Sequence, residues 1–145
     1  MSIETQQLHP FFSGTMPLPP SINASYKPRA KRDSDESAFA GTPELIQFKH
    51  DANFMLADQH TSVFDWGIIN AIRDSKKRKT PLAVILKFYF STEWKSDLDD
   101  RIKAAIDAAF AKLELDDRLV IRIEAEKLVD PINPRTEIEI RCIAR

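Results

Sequence analysis

The sequence predicts a single α+β domain, in which helices pack on a mixed or antiparallel sheet of about four strands. Strand-like and helix-like apolar periodicities alternate along the chain, and no internal repeat is present. The composition, 43% hydrophobic and 30% charged residues, is that of an ordinary globular protein. A chain of 145 residues is one domain by its length and can bury roughly two-thirds of its unfolded surface.

The N-terminal third contains one predicted strand and one long segment without periodicity. FFSGTMPLPP predicts a strand that ends at a proline-rich turn, because each proline removes a ladder donor and fixes φ. From Ser21 to Gly41 no apolar periodicity occurs, and a structureless stretch of that length is typical of functional or mobile segments. We therefore interpret residues 21–41 as a mobile basic loop within a domain that spans residues 1–145.

Two helices are predicted after this loop. The first starts at Thr42-Pro43-Glu44, a cap residue followed by proline at the first helical position. Its apolar face comprises Leu45, Phe48, Ala52, Met55 and Leu56. A capping box between Ser62 and Asp65 predicts the second helix, which presents Phe64, Ile68, Ile69 and Ile72. The basic run SKKRK, residues 75–79, closes that helix.

Three strands are predicted in the C-terminal half. PLAVILKFYF is a nearly continuous β-rich apolar run and predicts a central strand. RLVIRIEAEKL and TEIEIRCIA alternate apolar and polar residues, so they predict two half-buried strands. Because VDPINPR joins them, we predict that they form an antiparallel pair. The expected order is strand, two helices, strand, helix and two strands.

Several functional classes are disfavoured by what the sequence lacks. It has only three glycines, so no glycine-rich loop can cradle a phosphate and no nucleotide cofactor is expected. Its three histidines are far apart and no cysteine pair accompanies them, which disfavours a structural zinc site. The longest apolar runs are too short and too interrupted by charge to span a bilayer, so no membrane association is expected.

The cysteine usage and the N-terminus indicate a cytoplasmic protein. The single Cys142 excludes an internal disulfide, which fits a reducing compartment. The N-terminus, MSIETQQLHP, has neither a basic n-region nor an apolar h-region, so no secretion signal is expected. The formal net charge of −1 neither indicates nor excludes a nucleic-acid binder, because binding depends on where the charges lie.

One segment, SDLDDRIKAAIDAAFAKLELDD at residues 96–117, gathers acids at the two ends of a predicted helix. The helix has a buried apolar stripe formed by Ile102, Ala105, Ile106, Ala109, Phe110 and Leu113. The acids allow two interpretations. They can be solvated caps that favour the positive end of the helix, with Ser96 as a capping residue. Alternatively they meet around a cation, since like charges otherwise repel each other.

The phase of the neighbouring residues favours a meeting of three carboxylates. Asp97 and Asp99 are two residues apart, so in an extended turn both point the same way. Asp117 shares the odd-numbered phase of the core-facing positions in the following strand, and a carboxylate there needs a partner. Asp116 and Asp107 are out of phase with the site, so we predict that replacing either one by asparagine has a mild effect.

The chain is long enough for these three acids to meet if the helix is short. A helix over residues 100–110 spans roughly 15 Å at ~1.5 Å per residue. The segment AKLELDD then covers up to about 23 Å at ~3.3 Å per residue, which suffices unless the helix continues rigidly through Leu113. Three carboxylates form an oxygen-ligand site for Mg²⁺ or Mn²⁺. Lys103, one turn after Asp99, is placed to contact a phosphate oxygen, and the set suits phosphodiester hydrolysis.

These residues resemble the RusA family of Holliday junction resolvases. SDLDDRIKAAIDAAF and LDDRLV match the family pattern at Asp97, Asp99, Lys103 and Asp117, and PLPPSINASY resembles its N-terminal Pro-Pro-Ser-x-Asn-x-x-Tyr segment. The resemblance runs from residue 17 to the C-terminus. It implies a RusA-like fold and a magnesium-dependent, dimeric endonuclease that resolves four-way DNA junctions. By position, Asp97, Asp99 and Asp117 are the implied metal ligands and Lys103 is the implied catalytic lysine.

The chain departs from the family pattern at three points. Asp100 stands where the family usually has asparagine, and Ser96 replaces an arginine that some members have before the first aspartate. Lys95 can take over that phosphate contact. The loop before Asp116 lacks the usual glycine.

The basic loop supplies the remaining predicted DNA contacts. Lys27, Arg29, Lys31 and Arg32 lie beside Tyr26 and read either as a solvated loop or as an arm that orders on DNA. With an active site to serve, we favour the arm. Two symmetric nicks with one carboxylate cluster per chain further imply a homodimer.

Two other functions are compatible with the sequence. One is a metal-dependent nuclease for other branched or single-stranded DNA, and the other is a non-catalytic, dimeric DNA-binding module whose acids only cap a helix.

Overall fold

In a computed structural model of the protein, the described residues are 7–21, 42–75, 79–92 and 97–143. They form three α-helices, one 3₁₀ turn and a five-stranded mixed sheet, which confirms the predicted α+β class. In chain order the elements are β1 (Gln7–Met16), α1 (Pro43–Leu56), β2 (Val63–Phe64), α2 (Trp66–Asp74), β3 (Leu82–Phe90), α3 (Asp99–Leu113), the 3₁₀ turn (Asp117–Leu119), β4 (Val120–Val129) and β5 (Arg135–Ile143). The strand beyond the predicted four is the two-residue β2.

The sheet has the strand order β2-β1-β5-β3-β4, so the predicted central strand lies between two neighbours. β3 pairs antiparallel with β5 and parallel with β4. The predicted antiparallel pair of β4 and β5 is therefore wrong, because β3 lies between them. The continuous apolar run of β3 is best buried between two strands, whereas the alternation in β4 and β5 says nothing about which strand each one pairs with.

The helices cover one face of the sheet. In register, Ile140 of β5 and Ile123 of β4 flank the fully buried Val84 of β3 on this face. The opposite face carries exposed Lys87 and the ion pairs Arg141–Glu139 and Arg135–Glu137. From Ile123 onwards the odd positions of β4 face the helices, as predicted, whereas a bulge places the even-numbered Val120 opposite the buried Leu82. Ile123 remains 46% exposed because β4 is the last of the described strands in the sheet.

The helix boundaries follow local capping chemistry, with one correction. Thr42 caps α1 as predicted, since its hydroxyl accepts from the Leu45 amide at 3.3 Å. The predicted capping box at Ser62 is wrong. Asp65 is the N-cap of α2 and accepts from the Ile68 amide at 3.2 Å, while Ser62 precedes β2 and is buried. None of the described helices has the length and apolar content that crossing a membrane requires.

The helix of the acidic segment, α3, is longer than predicted. It continues from Asp99 through Leu113, and its stripe from Ala105 to Leu113 belongs to the core. Arg73 of α2 donates through Nη2 to the Leu113 carbonyl, which satisfies a free acceptor at the C-terminus of α3. The helix ends at Glu114, which adopts the left-handed conformation with φ 56° and ψ 43°. Glycine is the usual residue in this conformation, so its absence from this loop has a structural cost.

We expect Glu114→Gly to stabilise the protein. A non-glycine residue in the left-handed region costs roughly 1–2 kcal/mol, and the greater entropy of glycine in the unfolded chain offsets part of the gain. The free energy of unfolding should therefore rise by about 0.5–1 kcal/mol in urea titrations. Glu44→Gly, in the first turn of α1, is the matched control and should lower it by about 0.5–1 kcal/mol. Equal losses in both variants would contradict the strain assigned to Glu114.

Candidate active site

An open groove of about 440 Å³ runs between α3 and the edge strand β4. Charged and apolar side chains line it: Asp99, Ile102, Lys103, Ile106 and Asp107 from α3, Asp117 from the 3₁₀ turn, and Val120 and Ile123 from β4. The helical residues recur at intervals of three and four, so they share one face of α3. The groove thus combines three carboxylates and one ammonium on an apolar floor.

Three of the four residues predicted to carry the chemistry lie on this groove. Asp99 is the first residue of α3, Lys103 follows one turn later, and Asp117 opens the 3₁₀ turn. Asp97 is exposed just before α3 and is not among the residues that line the groove. Within the described ranges, no group of three or more His, Cys, Asp or Glu side chains is arranged to hold a metal ion.

The spread of the acids follows from the crossover that joins β3 to β4. Two parallel neighbours need such a crossover, and α3 provides it by running back along the sheet. The sequence predicts that Asp97, Asp99 and Asp117 meet only if the helix ends before Leu113. Because α3 continues through Leu113, that condition is not met. Along the same face, Asp99 and Asp107 are separated by about 12 Å at ~1.5 Å per residue. Asp99 and Asp117 line one groove, and the described residues of this chain do not gather three acids into a metal-binding group.

Lys103 is held by a carboxylate that the sequence reasoning left out of the site. Its Nζ lies 3.3 Å from Oδ2 of Asp107, one turn further along α3, and the two side chains are 57% and 24% exposed. Asp107 was predicted to be out of phase with the site, yet it lines the groove. Its spacing of four residues from Lys103 and eight from Asp99 is the signal that would have placed it there.

Asp116 and its neighbour Asp117 lie in different surroundings. Asp116 is the N-cap of the 3₁₀ turn and accepts hydrogen bonds from the Arg118 guanidinium, with an Nη2–Oδ2 distance of 2.8 Å. These bonds from Arg118 lower the pKa of the Asp116 carboxyl from its ordinary value of 3.8 to about 2. Asp117 is exposed, whereas the strand phase predicted the buried side. The 3₁₀ turn explains this difference, because strand alternation begins only at Val120.

Arg101 connects the acidic segment to the proline-rich turn, and the sequence reasoning did not identify it. Its Nη1 donates to the carbonyl oxygen of Pro19, and its guanidinium lies 5.5 Å from the centre of the Phe90 ring at the end of β3. The Thr136 hydroxyl donates to the Pro17 carbonyl at 3.1 Å. Prolines lack an amide donor but keep their carbonyl acceptors, so side chains anchor this turn. Arg101 thereby holds the segment that leads to Ser21 against the first turn of α3.

The predicted DNA-contacting residues lie outside the described ranges. They are Lys27, Arg29, Lys31, Arg32 and Lys95, together with the rest of the proposed loop after Ser21. Their roles stay predictions.

The carboxylates of the groove match the donor chemistry of a hard divalent cation. Carboxylate oxygens open to water are the donors that Mg²⁺ uses, and Asp99 and Asp117 present them on one surface. A ligand set of three such donors is not assembled by the described residues of one chain.

The Asp116–Arg118 pair should stabilise the protein in a pH-dependent manner. Because its pKa is lower in the folded state, the ionised Asp116 contributes stability above pH 3.8 that is lost as the pH falls towards 2. In thermal melts with EDTA, Asp116→Asn should melt below the wild type at pH 7, and the difference should narrow between pH 4 and pH 2. Arg118→Gln should show the same dependence, and the double variant should add little. A difference that stays constant with pH would contradict this pairing.

A comparison with known proteins identifies the family of the chain. The family model described as "Endodeoxyribonuclease RusA" matches residues 47–141, which include α3, the 3₁₀ turn and both strands that flank β3. No curated protein matches the chain.

Proposed function

Because this chain belongs to the RusA family of endodeoxyribonucleases, we propose that it resolves four-way DNA junctions by paired, symmetric nicks in DNA recombination and repair. The observation that carries the proposal is the exposed groove in which Asp99, Lys103 and Asp117 lie together. These residues belong to the two acidic segments that sequence analysis singled out. An open groove along a helix also suits a polymeric substrate better than an enclosed pocket does.

The proposed cofactor is Mg²⁺, with Mn²⁺ as a substitute, held by Asp97, Asp99 and Asp117. Support comes from the shared groove of Asp99 and Asp117 and from Asp97, which lies two residues before Asp99 at the exposed start of α3. When bound, the ion supplies Lewis-acid activation of the phosphate and lowers the pKa of a bound water.

Lys103 is proposed to stabilise negative charge that develops on the phosphate oxygens during hydrolysis. Its ammonium reaches the groove from the same face of α3 as Asp99, and the Asp107 carboxylate keeps it there. A fixed cation is more effective than a mobile one, because little reorganisation is needed as the charge develops. We therefore assign Asp107 a positioning role.

DNA contacts away from the groove are proposed for Lys27, Arg29, Lys31, Arg32 and Lys95. The contact of Arg101 with Pro19 supports this assignment, since it holds the chain just before the basic tract against the acidic end of α3. Basic side chains suit phosphate contacts that give affinity without reading the base sequence. The functional unit is proposed to be a homodimer, because two symmetric nicks require two catalytic grooves.

The non-catalytic alternative, in which the acids only cap a helix, finds less support. Leu98 is the N-cap of α3 and makes no side-chain capping hydrogen bond. Asp99 lies inside the helix rather than at its cap. A nuclease for flaps or single strands would use the same groove chemistry, so the choice of substrate rests on the cleavage assay.

We expect cleavage of a synthetic four-way junction with Mg²⁺ and none with EDTA. Asp97→Asn, Asp99→Asn, Asp117→Asn and Lys103→Ala should each reduce the single-turnover rate by about 10²–10³-fold or more, because each removes a charge from the reacting centre. Junction affinity in gel shifts should stay within a few fold, since phosphate contacts elsewhere provide it. Asp116→Asn is the matched control and should keep most of the activity.

Three outcomes would overturn parts of this proposal. Equal cleavage of flaps, single strands and junctions would replace the junction substrate with branched or single-stranded DNA. Junction binding without cleavage at any Mg²⁺ or Mn²⁺ concentration would favour the non-catalytic module. Full activity in Asp117→Asn beside an inactive Asp116→Asn would exchange the roles of these neighbours.

Magnesium should also stabilise the fold in the absence of DNA. A ligand that binds only the native state raises the free energy of unfolding by about 2.7 kcal/mol at one hundred times its dissociation constant. Thermal melts should therefore shift upwards with Mg²⁺ in the wild type and in Asp116→Asn, but little in Asp99→Asn. A wild type that is indifferent to Mg²⁺ at millimolar concentrations would remove the proposed metal site from the DNA-free protein.

A further inference from the structure

The edge strand β4 exposes an apolar surface that the rest of the described chain leaves uncovered. β4 is ten residues long and, among the described strands, pairs with β3 alone. Ile121 and Ile123 are 54% and 46% exposed, and Val129 at the far end is 46% exposed. A long edge with exposed apolar side chains offers free amide and carbonyl groups to another strand, and monomeric proteins usually protect such edges.

A bulge and four charged residues, Arg122, Glu124, Glu126 and Lys127, give this edge partial protection against pairing. A bulge leaves Ile121 without a partner in the register between β3 and β4, but residues 122–129 pair without interruption. No proline interrupts the strand. Ile121, at the bulge, is exposed and adds to the apolar surface of the edge.

We propose that β4 is the dimer interface, where it pairs antiparallel with β4 of a second copy across a two-fold axis at Ile123. This inference rests on the homodimer of the proposed function and adds where and in which register the two chains meet. A two-fold axis relates identical surfaces, and two identical strands at one sheet edge can pair about it only in antiparallel orientation. The product is one continuous sheet formed by both chains.

The sequence of β4 is complementary to itself in this register. With Ile123 on the axis, it faces the partner's Ile123 on the side of the helices. On the other side, Arg122 faces the partner's Glu124, and the symmetry repeats this pair. Opposite charges and apolar side chains placed directly across two strands are stabilising, whereas like charges there are destabilising. A register centred on Glu124 would instead place two glutamates against each other.

The interface explains how two grooves can serve one substrate. Val120 and Ile123 line the groove and also belong to the pairing edge, so each groove lies beside the axis. Because the axis is perpendicular to the shared sheet, the helices of both chains cover the same face. Two symmetric grooves then open on one side of the dimer, as paired nicks in one DNA junction require.

The test is the oligomeric state, measured by light scattering without DNA. The wild type should be a dimer at micromolar concentration, and Ile123→Glu should be a monomer. Ile132→Glu is the matched control, because Ile132 is 93% exposed in the loop after β4 and lies outside the interface. It should remain dimeric. Circular dichroism shows whether each variant is folded.

Charge exchange tests the register with substitutions outside the core. Arg122→Glu and Glu124→Arg should each raise the dimer dissociation constant by about tenfold or more, since each creates two like-charge pairs. The double variant should return to within about threefold of the wild type. Independent losses that add up in the double variant would overturn this register, and a dimeric Ile123→Glu or a monomeric wild type would overturn the interface.

Cleavage assays on the same proteins separate this inference from the proposed function. A wild type that dimerises through β4 but never cuts a junction would refute the proposed function and leave the interface intact. If the wild type cleaves junctions and the Ile123→Glu variant remains dimeric, the interface is refuted and the proposed function stands.

Discussion

The burial of β3 between two strands is the constraint on which the rest of the structure depends. Its even-numbered side chains, from Leu82 to Phe90, are buried under the helices, and both of its edges are paired. One of these partners, β4, is parallel, so the chain must return to the opposite end of the sheet before it can pair. That return is α3, and its amphipathic stripe completes the core above β3.

The candidate active site is a consequence of this crossover. A helix that runs back along β4 leaves a groove between one face of α3 and the sheet edge, and Asp99 and Asp117 from the two ends of this helix line it. The charges are organised by short-range pairs, since Asp107 holds Lys103 and Arg118 holds Asp116. Asp107 and Asp116 are thus paired with a basic side chain, and this pairing distinguishes them from Asp99 and Asp117, although all four are aspartates.

The same crossover leaves one edge of β4 available for pairing with another strand. β4 is held on one side by β3 and presents its other side, so the strand that forms the wall of the groove is also the one available for pairing. An interface there would couple assembly to the site, because any shift of β4 moves Val120 and Ile123 in the groove. Arg101 has a comparable role at the other end of α3, where it joins the proline-rich turn, Phe90 and the first helical turn.

The sequence by itself determined the elements and the chemistry of this protein. The 3.6-residue stripe of α3, the apolar run of β3 and the Thr42-Pro43 cap each depend on neighbours within a few residues, and all three are confirmed. The motif DLDDRIK likewise led to the family without any structure. Tertiary structure alone decided that β3 separates β4 from β5, that α3 extends through Leu113, and that Asp107 enters the groove while Asp97 lies outside it. These features depend on contacts between distant segments, and local periodicity carries no information about which of several compatible partners a strand or a carboxylate will meet.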